Sequence, residues 1–165
     1  MSVSPTEVRL LFDAERNSDF ARRIAAMLPC GMVENDSDDT RPVCVLIGEE
    51  TWNDRRIRLQ IAQGIAAGGA AAGIFVEKEA SRFPNPFDFI GLYKYKNEIH
   101  FAEWNGVRWQ PYEELAVPVR EGVLRFTAPE RNHVIKLSKY CMCTSFDFPM
   151  DIIKFNNFVY SYIFI

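Results

Sequence analysis

The stretch from Val43 to Ile65 constrains this chain more than any other: a buried strand, a polar elbow and an amphipathic helix in immediate succession. Pro42-Val43-Cys44-Val45-Leu46-Ile47-Gly48 is a short apolar run rich in β-branched residues, the pattern of a strand covered on both faces. Glu49 to Asn53 breaks that pattern. From Asp54 onward Ile57, Ile61 and Ile65 recur every four residues, the stripe of a helix lying on a sheet. A strand buried on both faces and followed at once by a helix belongs to a parallel sheet with crossover connections.

The flanking segments extend the same alternation. Glu7 to Phe12 reads as a first strand. Asn17 or Ser18 can cap a helix whose apolar positions are Phe20, Ile24, Met27 and Leu28, and Pro29 stops it. Gly31 to Glu34 fits a short edge strand. Gly68-Gly69 ends the second helix, and Ala71 to Glu77 forms a further buried strand. The predicted fold is α/β, a flavodoxin-like parallel sheet flanked by helices. In such sheets ligands bind where loops leave the carboxyl ends of the strands.

Past Val76 the periodicity weakens. Pro84-Asn85-Pro86-Phe87-Asp88-Phe89 is a rigid, aromatic loop, Asn105-Gly106 is a two-residue hairpin signal, and Trp109 to Leu115 reads as a terminal helical turn. From Arg131 to Ile165 there is neither alanine nor glycine, and the aromatic, β-prone end Phe158 to Ile165 must be covered by something. The expected division is a domain over residues 1–120 and an irregular aromatic C-terminal extension over 121–165 packed on it.

Composition narrows the function. A net charge of −3 and a pI near 5.5 lack the basic face of a nucleic-acid binder. No apolar run reaches a membrane span and no signal peptide is visible, so a cytoplasmic protein with neither membrane nor nucleic-acid partner is expected. Cys30, Cys44, Cys141 and Cys143 lack paired Cys-x-x-Cys spacing, so no metal site is expected. No glycine-rich phosphate loop follows any strand, and no nucleophile-elbow motif is present.

The ordered pieces Gly48, Thr51, Arg56-Ile57-Arg58-Leu59-Gln60-Ile61, Gly73-Ile74-Phe75-Val76 and Asn85-Pro86-Phe87-Asp88 resemble the TIR-like family that includes the Thoeris antiphage proteins. The first strand ending in Phe12 is similar as well, and the likeness covers about residues 7 to 115. It implies NAD as substrate with no bound cofactor, and cleavage of its nicotinamide–ribose bond to make an ADP-ribose-derived signal for a separate effector. It also implies self-association or a phage-derived trigger as partner chemistry.

Laid on the family pattern, Thr51 takes the threonine position, Arg56 an aromatic position and Gln60 the position of the catalytic glutamate. Departing nicotinamide leaves an oxocarbenium-like ribose, which a negative neighbour stabilises and an amide does not. The candidate catalytic position is therefore Gln60, with Phe12, Asp13, Gly48, Thr51, Trp52 and Arg56 as candidate substrate contacts. Asp13 ends the first strand on the opposite wall, Trp52 offers a stacking surface, and Arg16 and Arg56 offer charge for a pyrophosphate.

Three readings of Gln60 stand. It is a carboxylate-to-amide replacement in an active parent, or a native amide in a chain that binds without turnover. Otherwise it is an ordinary helix residue, with Glu49, Glu50 or Asp54 supplying the carboxylate. The helix phase set by Ile57 and Ile61 favours the first two. A different class of function, a non-catalytic TIR scaffold or sensor acting by protein–protein assembly, is the alternative.

Overall fold

A computed structural model describes residues 8–27, 32–34, 42–77, 83–115, 133–146 and 152–163. Its centre is a five-stranded, all-parallel sheet. The strands are β1 (Val8–Leu11), β2 (Met32–Glu34), β3 (Val43–Ile47), β4 (Ala71–Phe75) and β9 (Cys143–Ser145), in the spatial order β2-β1-β3-β4-β9. Helix α1 (Ser18–Met27) connects β1 to β2, and α2 (Arg55–Ala66) connects β3 to β4. This is the expected flavodoxin-like arrangement, a parallel sheet flanked by helices.

Alternation along β1 and β3 assigns the two faces. Leu11, Val43, Val45 and Ile47 pack with Ile57, Ile61, Ala62 and Ile65 of α2. Val8, Leu10, Cys44 and Leu46 pack on the other face with Phe20, Ala21 and Ile24 of α1. The α2 side also buries a charged residue of β1, Arg9, which is fully inaccessible. Gly64 makes room there: a Cβ on it would stand 3.0 Å from Val43 Cγ2 and 3.5 Å from Arg9 Nη1. Beyond the helix, Gly68 adopts φ +102°, and the Gly69 N–H donates back to Gly64 O at 2.9 Å.

A second, antiparallel sheet closes over α2. It comprises β5 (Ile90–Tyr95), β6 (Glu98–Trp104), β7 (Trp109–Pro111) and β8 (Ile135–Lys136), in the spatial order β7-β6-β5-β8. Ile90, Leu92, Phe101 and Tyr112 join the α2 core, so the helix lies between two sheets. The tight hairpin turn is Lys96-Asn97, both at positive φ (51° and 64°), whereas Asn105-Gly106 opens a four-residue connection. In that connection Asn105 Oδ1 accepts from the N–H groups of Val107 and Arg108, both at 2.9 Å. The expected terminal helical turn over Trp109–Leu115 is instead β7 followed by a single 3₁₀ turn, Glu113–Leu115. Pairing with β6 overrides the local preference, Trp104 opposite Trp109.

Within 121–165 the described residues supply β8 to the antiparallel sheet, β9 to the parallel sheet and α3 (Ile152–Tyr162) to the α1 face. The β-prone end is thus helical where it is described. Phe155, Val159 and Ile163 recur every four residues and with Phe158 cover Leu10, Leu46 and Ile74, a stripe that a strand cannot present to one face. Among the described residues no helix is long and apolar enough to cross a membrane. Nor do three or more His, Cys, Asp or Glu among them gather as metal ligands.

Candidate active site

The chain leaves β1 toward α1 on one face and β3 toward α2 on the other, so the two adjacent strands diverge at their carboxyl ends. Divergence of this kind opens a crevice at the rim. An open cleft of about 440 Å³ lies there, lined by Asp13, Ala14, Glu15 and Arg16 after β1 and by Glu50, Asn53, Asp54 and Arg56 after β3.

Local hydrogen bonds fix both walls. Asp13 organises its own loop: Oδ1 accepts from the Glu15 N–H (3.0 Å), Oδ2 pairs with Arg16 Nη1 (3.2 Å), and its carbonyl accepts from the Asn17 N–H (2.8 Å). Asn17 then turns its side chain onto Gly48, where a Cβ would stand 2.5 Å from Asn17 Oδ1. The glycine lets the β1 loop close against the elbow. Thr51, fully buried, accepts from the Gly48 N–H at 2.8 Å and donates to Leu46 O at 3.4 Å, pinning the elbow to the end of β3. Asp54 caps α2, accepting from the N–H groups of Arg56 (3.0 Å) and Ile57 (3.4 Å).

Of the residues singled out from sequence, Asp13, Arg16 and Arg56 line the cleft, as do Glu50 and Asp54, the alternative carboxylates. Gly48 and Thr51 lie beneath it as structural ties, and Phe12 packs against the α1-side core. Trp52 is turned to Phe89, with ring centroids 5.1 Å apart, and closes the seam between the elbow and the Pro86–Phe89 turn. Gln60 is not part of the lining. It is 8% exposed and follows Arg56 by four residues, hence on the same helix face and about 6 Å deeper along the axis. Its backbone is one turn below that of Arg56.

Sequence reasoning passed over Ala14, Glu15 and Asn53 as lining residues and Asn17 as the seam that holds the walls together. Their signal was positional: each lies in the first residues after β1 or β3. Charge in the cleft is acid-rich, Asp13, Glu15, Glu50 and Asp54 against Arg16 and Arg56.

The outer flank of α2 carries a separate polar network. Arg55 grips two carboxylates at once, Glu103 (Nε–Oε1 3.0 Å, Nη2–Oε2 2.7 Å) and Glu114 (Nη1–Oε1 2.9 Å, Nη2–Oε2 3.0 Å). Its guanidinium also stands 5.7 Å from the centre of the Tyr112 ring. Burial, with the nearby Glu103 carboxylate, pushes the Tyr112 phenol well above its ordinary range. The residue next to the cleft-lining Asp54 and Arg56 is thereby tied to the antiparallel sheet.

No family model matches the chain. A Bacillus cereus (strain MSX-D12) protein named "Putative cyclic ADP-D-ribose synthase ThsB1" is 32% identical over 114 residues, 63% of this chain and 55% of that protein. Over those 114 residues this chain is similar to that protein. It spans little more than half the length of the curated relative it matches. Fold and relationship agree: the Thoeris-type likeness read from the strand, elbow and helix falls on the part of the structure that builds the cleft.

Proposed function

We propose that this chain is an NAD-processing protein of bacterial antiphage defence. It binds NAD at the rim between β1 and β3, and its lineage's chemistry breaks the nicotinamide–ribose bond to give an ADP-ribose-derived signal. The observation that carries the reading is the cleft at the divergence of β1 and β3, in a chain related to a protein named for cyclic ADP-ribose synthesis. Arg56, at the mouth of the cleft and only loosely held by Asp54 at 3.9 Å, is positioned to meet a phosphate. Gln60 then occupies the glutamate position, and the amide hydrogen-bonds without supplying charge. Removing a group of that kind lowers rates on the order of 10²–10⁴-fold, so turnover in this chain is weak.

The test is nicotinamide release from NAD by this chain and by Gln60→Glu. Release that rises about 100-fold or more in the variant supports the assignment; a variant no faster than its parent refutes it.

A second reading, assembly without catalysis, draws support from the solvent side of α3, where Ile153 is 69% and Tyr162 39% exposed. Light scattering separates the two. A scaffold loses its oligomer on Ile153→Glu, whereas nicotinamide release by a monomeric enzyme is indifferent to that change.

A further inference from the structure

We infer that Glu50 supplies the negative charge that faces the ribose in this chain, an inference that rests on the NAD-cleaving reading of the cleft. The four carboxylates of the lining are not equivalent. Asp13 is committed to the Glu15 N–H and to Arg16, and Asp54 to the first N–H groups of α2. Glu15 stands on the exposed outer lip. Glu50 is half-buried on the β3 wall, and among the described residues its carboxylate has no hydrogen-bond or ion-pair partner. Its main chain is held, because the Glu50 carbonyl accepts from the Asn53 N–H at 3.1 Å and the next residue is the buried Thr51. A free carboxylate on a fixed backbone in the cleft wall, with an amide in place of a carboxylate at residue 60, is the group able to answer a developing cation.

The reaction needs no other reagent than water or the substrate's own adenine. The C1′–N bond breaks, its electron pair leaves with nicotinamide, which departs neutral, and the positive charge passes to the ribose. Water, or a ring nitrogen of the adenine, then bonds to C1′. The proton lost from that nucleophile passes to Glu50 and on to solvent. The same electrostatics set substrate choice. With Asp13, Glu15, Glu50 and Asp54 against two guanidiniums, the cleft favours the cationic ring of NAD⁺ over the neutral ring of NADH.

The experiment measures nicotinamide release and the affinities for NAD⁺, NADH and ADP-ribose. It compares the full chain, Glu50→Gln, Glu50→Asp, Gln60→Glu and the double variant Glu50→Gln/Gln60→Glu. Slow release by the full chain is expected to fall about 100-fold in Glu50→Gln and to survive in part in Glu50→Asp. ADP-ribose affinity stays within about threefold and the preference for NAD⁺ over NADH narrows. In the Gln60→Glu background the same change costs less, because two carboxylates then share the charge.

If Glu50→Gln keeps its rate, or if the full chain is inert while Gln60→Glu cleaves NAD⁺, the role of Glu50 is overturned and the reading of the cleft stands. If no variant binds or cleaves NAD⁺, both fall.

Discussion

Removing the guanidinium of Arg55 should destabilise the protein more than removing either of its carboxylate partners. The asymmetry follows from burial: the Arg55 side chain is 46% exposed, Glu103 only 6% and Glu114 37%. In Arg55→Ala the Glu103 carboxylate stays in the interface between α2 and the antiparallel sheet without its partner. Breaking a fully buried pair this way costs about 3–5 kcal/mol. Because one partner here is nearly half in water, about 2–3 kcal/mol is expected. Glu103→Ala leaves an arginine that keeps Glu114 and solvent, for about 1–2 kcal/mol. Glu114→Ala removes a surface pair worth about 1 kcal/mol or less.

In a thermal melt followed by circular dichroism at pH 7, Arg55→Ala should lower Tm by about 4–12 °C, at 2–4 °C per kcal/mol for a domain of this size. Arg55→Ala/Glu103→Gln should recover part of that loss, since the buried charge is gone. An Arg55→Ala protein no less stable than Glu114→Ala, or a double variant worse than the sum of its parts, would refute the reasoning.

Other outcomes can be checked on the same protein. The Arg55 guanidinium holds the Glu114 carboxyl below its usual value, so the pair stabilises above about pH 4.5 and the contribution disappears as pH falls through the lower, folded value. The Tm gap between the parent chain and Glu114→Gln should therefore close in acid, and a gap independent of pH would contradict it. Thr51→Val strips the Gly48 N–H of its acceptor in a buried elbow and should cost about 1–3 kcal/mol, read by urea denaturation. Phe155→Ala empties a fully buried site beneath α3 and should cost about 3–5 kcal/mol by the same measurement, or nothing if α3 does not cover the sheet. Burial pushes the Cys44 thiol up to about 12 and the Cys143 thiol up to about 11, and raises Cys141 as well. In a Cys30→Ser background, a thiol reagent at pH 8 should label the buried Cys44 and Cys141 only as fast as the protein opens.

The sequence by itself determined the unit that builds one wall of the cleft. Val43–Ile47 is too apolar to be anything but a strand covered on both sides, and Asp54 caps the helix after it. The four-residue repeat of Ile57, Ile61 and Ile65 sets the phase that carries Gln60 inward. The edge strand at Met32–Glu34 and the glycine stop after α2 were equally local, and therefore equally legible.

What only the tertiary structure decided was everything carried by distant partners. Cys143–Ser145 becomes the fifth strand because the free edge of β4 accepts it, and no periodicity over three residues announces that. The aromatic end of the chain is helical because one face of a parallel sheet is covered by Phe155, Phe158, Val159 and Ile163 together, and a strand would turn Phe158 to the opposite side from the other three, a requirement that outweighs β propensity. The cleft itself joins the loop after β1 to the elbow after β3, with α1 and β2 lying between them in the chain. It also separates a carboxylate already spent on a helix N-terminus from one left free. Local pattern records which face of an element is apolar; only packing determines which polar groups the apolar faces bring together.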